Sequence, residues 1–268
     1  MIPPYLNQTF KAMLTRIFRL FLLIPVLCFA NMGTNYAQES SNNKWNFLIE
    51  PYLMFPSMKG DTGIGNLPDI SVDANASDIF KNLSIGTMLY TEAYNQKWAV
   101  GSDIIYMNLK QDVTPRTIVT DGYMQAKQFA WEFSGLRRVL PWLELGIGGR
   151  VNSIETELDL SLSTQNNTSS RNLSLKETWF DPIIIARIKN GANEKLLYQF
   201  RGDVGGFGVG SQITYQIQTY IGYRFSELFQ LTAGYRVISI DFEKGTGEGR
   251  FLYDVDTSGP VMRIGFNL

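Results

Sequence analysis

Carboxylates and arginines recur at alternate positions through much of the chain. The carboxylates are Glu50, Glu92, Asp103, Glu132, Glu144, Asp181 and Asp203, and the arginines are Arg150, Arg187, Arg201, Arg236 and Arg263. Two carboxylates facing each other could serve as a general acid and base. Arginines on the same face make ion pairing the stronger reading, because a carboxylate held by a guanidinium is a poor proton donor. There is no histidine, so a histidine base of the usual kind is excluded. The single cysteine, Cys28, lies in an N-terminal apolar run. Its removal with that run would leave no thiol nucleophile, disulfide or cysteine metal site.

Two further stretches invite a chemical reading. The run Gly205 to Gly210 is glycine-rich enough to cradle a phosphate, but no Gly-Lys-Ser/Thr follows it and no helix begins there, so it reads as a tight bend. Asp254 and Asp256, with Asp61 or Asp69, could hold a cation such as calcium. Their spacing matches no recognised site, and a solvated loop mouth is the simpler account. The sequence therefore implies no catalytic residues, no cofactor and no metal, and a net charge of -1 gives no reason to expect nucleic acid.

The elements that must position these charges are strands. From Trp179 to Phe225, Asp181, Arg187, Arg201, Asp203, Gln212, Gln216 and Gln218 take one parity. Phe180, Ile184, Ile188, Tyr198, Phe200, Val204, Ile213, Tyr215, Ile217, Ile221 and Tyr223 take the other. A period of two with one greasy and one charged face marks a strand between unlike environments. The pattern repeats in Trp45 to Phe55, Leu83 to Tyr94, Trp98 to Leu109, around Phe129 to Phe133, from Leu143 to Val151, from Phe229 to Val237 and up to Leu268. Between Ser57 and Lys81 lies a long polar segment whose tail, Ala76 to Asn82, suits a turn of helix. A Ser/Thr/Asn-rich loop is expected over about Thr156 to Ser174.

Connections near Asn95, Arg137, Asn190 and Ser226 are short, and those between them are mostly long, the rhythm of a bacterial outer-membrane barrel. Alternation alone would also fit a soluble barrel with its charges outward. The loop rhythm, aromatics near strand ends and glycines among charges of both signs favour lipid outside and charge inside. The expected fold is all-β: a closed antiparallel transmembrane up-and-down β-barrel of about ten strands, eight or twelve being the alternatives. Pro51, Pro182 and Pro260 fall inside proposed strands and call for bulges or rim positions, since a closed barrel has no free edge.

Lys11, Arg16 and Arg19 precede the apolar run Leu20 to Ala30, and small residues follow to Ala37. That layout predicts a cleaved signal peptide over residues 1–37 and a barrel over 38–268. No later apolar run approaches the roughly 20 residues of a membrane-spanning helix.

The segments Trp179-Phe-Asp-Pro with Arg187, Gly202-Asp-Val-Gly-Gly-Phe-Gly-Val-Gly-Ser211, Gly222-Tyr-Arg, Gly234-Tyr-Arg and Phe251-Leu-Tyr-Asp with Ser258-Gly-Pro resemble a small outer-membrane β-barrel family of Gram-negative bacteria. The likeness, within the OmpA-like or porin-like group, is strongest from Trp179 to Leu268. It implies an outer-membrane location with lipid and the barrel-insertion machinery as partners, and no catalytic residues. The terminal Phe266-Asn267-Leu268 departs from the usual final aromatic. Three functions follow as expectations: a structural or surface-interaction barrel with a charge-filled lumen, binding a ligand or protein through its outer loops; a narrow channel for small polar solutes; and, least favoured, a carboxylate-based enzyme. The sequence leaves the oligomeric state open.

Overall fold

A computed structural model of the protein describes residues 44–268 except 67, 113–118, 165–166 and 192–193. The signal-peptide expectation lies outside these residues. The described chain forms β1 (Asn46–Met54), β2 (Ser57–Ile64), β3 (Ile70–Ala74), α1 (Ala76–Lys81), β4 (Leu83–Tyr94), β5 (Trp98–Asp112), β6 (Val119–Leu140), β7 (Leu143–Thr164), β8 (Asn167–Lys189), β9 (Leu196–Gly205), β10 (Ile213–Arg224), β11 (Phe229–Lys244) and β12 (Phe251–Asn267). Ten of these strands, β1 and β4 to β12, pair antiparallel in sequence order, and β1 pairs with β12 to close the barrel. Closure leaves no free sheet edge around the ring where it crosses the membrane, which is the condition for a sheet to cross lipid.

The other two strands change the expected picture of the polar segment after β1. β2 carries on the line of β1 along β12, β3 folds back on β2, and α1 follows with an Asn75–Asp78 capping box. The Thr156 to Ser174 loop is also corrected. β7 and β8 run on as a paired ribbon from Leu143↔Ile188 to Thr164↔Asn167. At 22, 22 and 23 residues, β6, β7 and β8 are far longer than the roughly 9–11 residues a spanning strand needs. Their outer halves stand clear of the membrane.

The prolines find their places where pairing stops. Pro51 is opposite Leu89 at the last rung between β1 and β4. Pro182 lies one residue before Ile183, whose partner Gly205 ends the β8–β9 ladder. Pro260 accepts from the Phe55 N–H at 2.9 Å, in the break between β1 and β2. The missing N–H of Pro182 and of Pro260 falls where a ladder ends, whereas Pro51 leaves a gap inside the β1–β12 ladder, which skips Glu50 and Pro51 and resumes at Tyr52.

The exposed apolar side chains define the lipid face. Phe47, Val100, Ile147, Ile184, Phe200, Ile217 and Met262 all point outward. At the short-turn end Tyr223, Phe225, Phe229 and Phe266 follow one another with ring centroids 5.1, 5.5 and 6.0 Å apart, an interfacial girdle. Further up, Phe133 stacks on Phe180 at 6.3 Å. A Cβ on Gly149 beneath them would lie 2.3 Å from the Phe180 ring, so only glycine leaves room for that pair.

Beyond the lipid band the alternation changes phase. On β5, Asp103 points in and Ile104 out, yet two rungs on Met107 points in and Asn108 and Lys110 out. On β12, Arg263 is buried between exposed neighbours, whereas Tyr253 and Val255 are buried beside exposed Asp254 and Asp256. Lipid and water demand opposite faces, and each strand switches where it leaves the bilayer. The bore therefore has two storeys. Polar groups fill the half nearer the short turns. Trp179, Ile240, Phe242, Phe251, Tyr253 and Val255 pack together in the other half, with the Trp179 and Phe242 rings stacked at 4.1 Å.

Candidate functional site

The polar half of the bore is one network built from inward positions of all ten barrel strands. Its centre is Glu132 on β6. Arg150 on β7 donates to it through Nη2 at 2.7 Å and Nε at 3.2 Å, and Arg201 on β9 donates through Nη2. Arg150 also reaches Asp203 at 2.8 Å, and Arg201 lies 3.5 Å from the same carboxylate. Gln216 on β10 donates to Asp203 at 2.9 Å and to Glu132 at 3.3 Å. Arg236 on β11 lies 3.0 Å from Asp103 on β5, and it donates to the Tyr52 hydroxyl and Gln216 at 2.8 Å each. β5 and β11, like β6 and β10, are nearly opposite in the ring, so these contacts cross the bore.

Nearer the short turns lies a second cluster. Arg187 on β8 donates to Glu92 on β4 and to Glu144 on β7, the latter through Nε at 2.7 Å. Arg138 holds Glu144 from the other side at 2.9 Å, and Lys189 lies 3.3 Å from Glu92 and 3.4 Å from Glu144. Arg263 on β12 sits among Tyr52, Tyr90 and Tyr220, with ring centroids 5.1, 5.1 and 4.1 Å from its guanidinium. It donates to the Tyr220 hydroxyl at 2.8 Å and to Glu50 at 3.3 Å. Planar guanidinium suits this role because it donates within its plane while its face lies on a ring.

All twelve charged positions singled out in the sequence are buried; of the set their shared parity suggests, Arg187 and Arg201 with Asp181 and Asp203, only Arg201 with Asp203 forms. Arg187 belongs to Glu92 and Glu144, and Arg201 to Glu132 and Asp203. Among the described residues Asp181 meets no cation. Its Oδ1 accepts the Ser211 N–H at 2.6 Å, and its Oδ2 accepts from Ser211 Oγ at 2.9 Å and from Asn152 and Trp179 at 3.1 Å each. These bonds tie down the glycine-rich connection between β9 and β10. Its residues Gly206, Phe207 and Gly208 have φ of 84°, 52° and 75°. A Cβ on Gly210 would fall 2.4 Å from the Phe180 carbonyl oxygen. The glycines serve a bend drawn tight onto the barrel wall, as the sequence suggests. Sequence reasoning gave no weight to Tyr52, Tyr90, Tyr220, Arg138, Lys189 and Asn152. Their inward parity was the available signal.

At the outer rim, Asp61, Asp254 and Asp241 lie side by side across β2, β12 and β11 on the outward face. Partial burial and the neighbouring carboxylates raise Asp254 and Asp241 above the usual carboxylate range. Asp69 is engaged elsewhere. Arg250 donates to both its oxygens, at 2.6 and 3.1 Å, and holds its carboxyl below the usual range. Asp69 is thereby committed to Arg250 and does not join Asp254, a grouping that the sequence offers only as the lesser reading. Among the described residues no three acidic, histidine or cysteine side chains are placed to hold a metal.

A closed antiparallel barrel with an apolar belt outside and charge inside is an outer-membrane β-barrel, and the outer membrane is where this chain sits. No protein-family model matches the chain, and no curated protein matches it in sequence. Solved structures match in fold. The outer-membrane protease OmpT from Escherichia coli is 10% identical with a TM-score of 0.49, over 84% of this chain and 97% of its own. The attachment invasion locus protein Ail of Yersinia pestis is 8% identical with a TM-score of 0.32, over 84% and 98%. The monoaromatic hydrocarbon channel CymD is 10% identical with a TM-score of 0.33, over 83% and 87%.

Proposed function

We propose that this is a closed outer-membrane barrel whose bore is plugged by its own charges, and that it acts through the wall it raises above the membrane. One observation carries the reading: the contacts of Glu132, Asp203, Gln216, Arg236 and Asp103 run from wall to wall. Removing a buried charge from such a set is costly, which makes the plug part of the fold and not a movable gate. Between the two storeys the bore holds a cavity of about 30 Å³ beside Asp103, Glu132, Arg150 and Arg236. That is room for a water molecule or two.

The projecting β6–β7–β8 ribbons and the β2–β3 hairpin supply the surface. Its outward face carries mixed charge, including Lys127 2.6 Å from Glu155, with Lys176 at 3.6 Å on the same carboxylate. Such a face suits a polar ligand or protein on the cell exterior. Insertion of the refolded protein into planar bilayers tests the plug. No steady current is expected, and stable unitary conductance would favour the narrow polar channel instead.

A further inference from the structure

The bore opens toward the short-turn end into a vestibule of about 100 Å³. Leu48, Tyr94 and Leu197 form its apolar side, and Glu50, Glu92, Lys189, Arg224 and Arg263 its polar side. The two carboxylates already have cations. Glu50 accepts from Arg263 at 3.3 Å, and Glu92 is held by Arg187 and lies 3.3 Å from Lys189.

Arg224 is different. It points inward from the last rung of β10, and among the described residues no carboxylate lies within ion-pairing distance of it. Its Nη2 donates to Gln230 Oε1 at 3.2 Å. Gln230 is itself fixed, donating to Glu50 at 3.0 Å and accepting from Asn267 at 3.2 Å. The Arg224 Nε is closed off from solvent and bonds to no protein group. A half-buried guanidinium that no carboxylate pairs, at the edge of a cavity, is a standing cost, and an anion in the cavity would offset its charge.

We propose that this vestibule binds a small, singly charged carboxylate through Arg224. The planar fork of a guanidinium matches a carboxylate. Glu50 and Glu92 in the wall would repel a second negative charge, which disfavours a phosphate dianion. Tyr94, Leu48 and Leu197 offer room for a short apolar tail. The ion-pair layer closes the far side, so the ligand enters and leaves from the short-turn end, the periplasmic side in outer-membrane barrels.

The test is a titration of the refolded full chain in uncharged detergent with propionate, propionamide and inorganic phosphate, read by ligand line broadening in NMR. Propionate should bind saturably, with propionamide and phosphate weaker. Arg224→Gln should weaken propionate about tenfold or more, the factor that losing a charge-assisted hydrogen bond gives, while Arg224→Lys retains part of the affinity. The inference is overturned if propionamide or phosphate binds as well as propionate, or if Arg224→Gln binds propionate like the wild type. Were Arg224→Gln not to fold, the contrast between propionate and propionamide on the wild type and on Arg224→Lys decides the matter by itself.

Discussion

Replacing Glu132 by Gln keeps the shape of the side chain and removes one charge from the middle of the bore. In the native network Arg150, Arg201 and Arg236 are matched by Glu132, Asp203 and Asp103. After the change one positive charge is left over in a place where the residues on every side are buried. Arg150 keeps Asp203 at 2.8 Å, but Arg201 keeps only the longer contact of 3.5 Å to the same carboxylate. Removing one partner of a buried pair costs about 3–5 kcal/mol. The small cavity lined by Glu132 and Arg150 lets a water molecule reach the site, so we expect about 3 kcal/mol, the lower end. Urea unfolding of the refolded barrel, followed by its heat-modifiable gel band and by tryptophan fluorescence, measures the cost. The second arm is the pair change Glu132→Gln with Arg201→Gln, which removes both charges and should recover much of the loss. A loss below about 1 kcal/mol for the single change, or strict additivity in the double, would show that the charges are solvated and the plug is not a structural unit.

Ile217 is exposed on the lipid face near the middle of β10, and its neighbour Gln218 is buried in the bore. Ile217→Arg should cost about 2–4 kcal/mol in folding into bilayers, and a variant as stable as wild type would place that face away from lipid. Asp181→Asn turns an oxygen that accepts into an amide that donates. It should cost about 1–3 kcal/mol and raise hydrogen exchange at the Ser211 amide, with unchanged exchange refuting the latch. The rim carboxylates give a pH effect of opposite sign to that of an ion pair. Asp241 and Asp254 are raised in the folded state, so it binds their protons more tightly than the unfolded chain does. Their repulsion is fully felt above the raised values and relieved as pH falls through them. Mild acid should raise the protection of the β2–β3 hairpin and β12 rim amides, measured against their intrinsic exchange rates at each pH, and Asp254→Asn should abolish most of that response. Lower protection in acid would mean that loss of the Asp69–Arg250 pair governs the rim instead.

The barrel was legible in the sequence because period two is a local property, and each strand of the lipid band carries it unaided. The bounds of Leu83 to Tyr94 were readable for this reason, although a bulge between Leu83 and Ile85 packs Leu83 against the interior cluster, off the face it shares in sequence with Ile85 and Leu89. Who pairs with whom inside the bore was not. Asp181 and Arg187 share a parity on one strand and are close in sequence, which suggested a pair. Same-face neighbours along a strand are separated by the rise of the strand, whereas a bore brings opposite walls together. Arg187 consequently finds Glu92, four strands away around the ring, and Asp181 is left to the backbone and hydroxyl of Ser211.

The part of the chain read as loop misled for a different physical reason. A strand rule calibrated on lipid expects an apolar outer face, and Glu157, Asp159 and Ser174 within the stretch, like Glu155 and Lys176 beside it, deny it. In water the same strand must turn polar side chains outward, and its apolar residues then pass to the inside. Ile154 and Leu175 pack against the upper cluster for this reason. The cue was a change of phase and not a loss of period. Leu173, Leu175 and Trp179 keep the alternation in step with Asp181, while residues of the opposite parity change from Ser174 and Lys176 to Phe180 and Ile184. The point of that change marks the upper membrane boundary on β8 between Thr178 and Phe180. The same test on β12 puts it between Asp256 and Met262, and on β5 between Ile104 and Asn108. The strands thus record the upper edge of the bilayer in their own side chains.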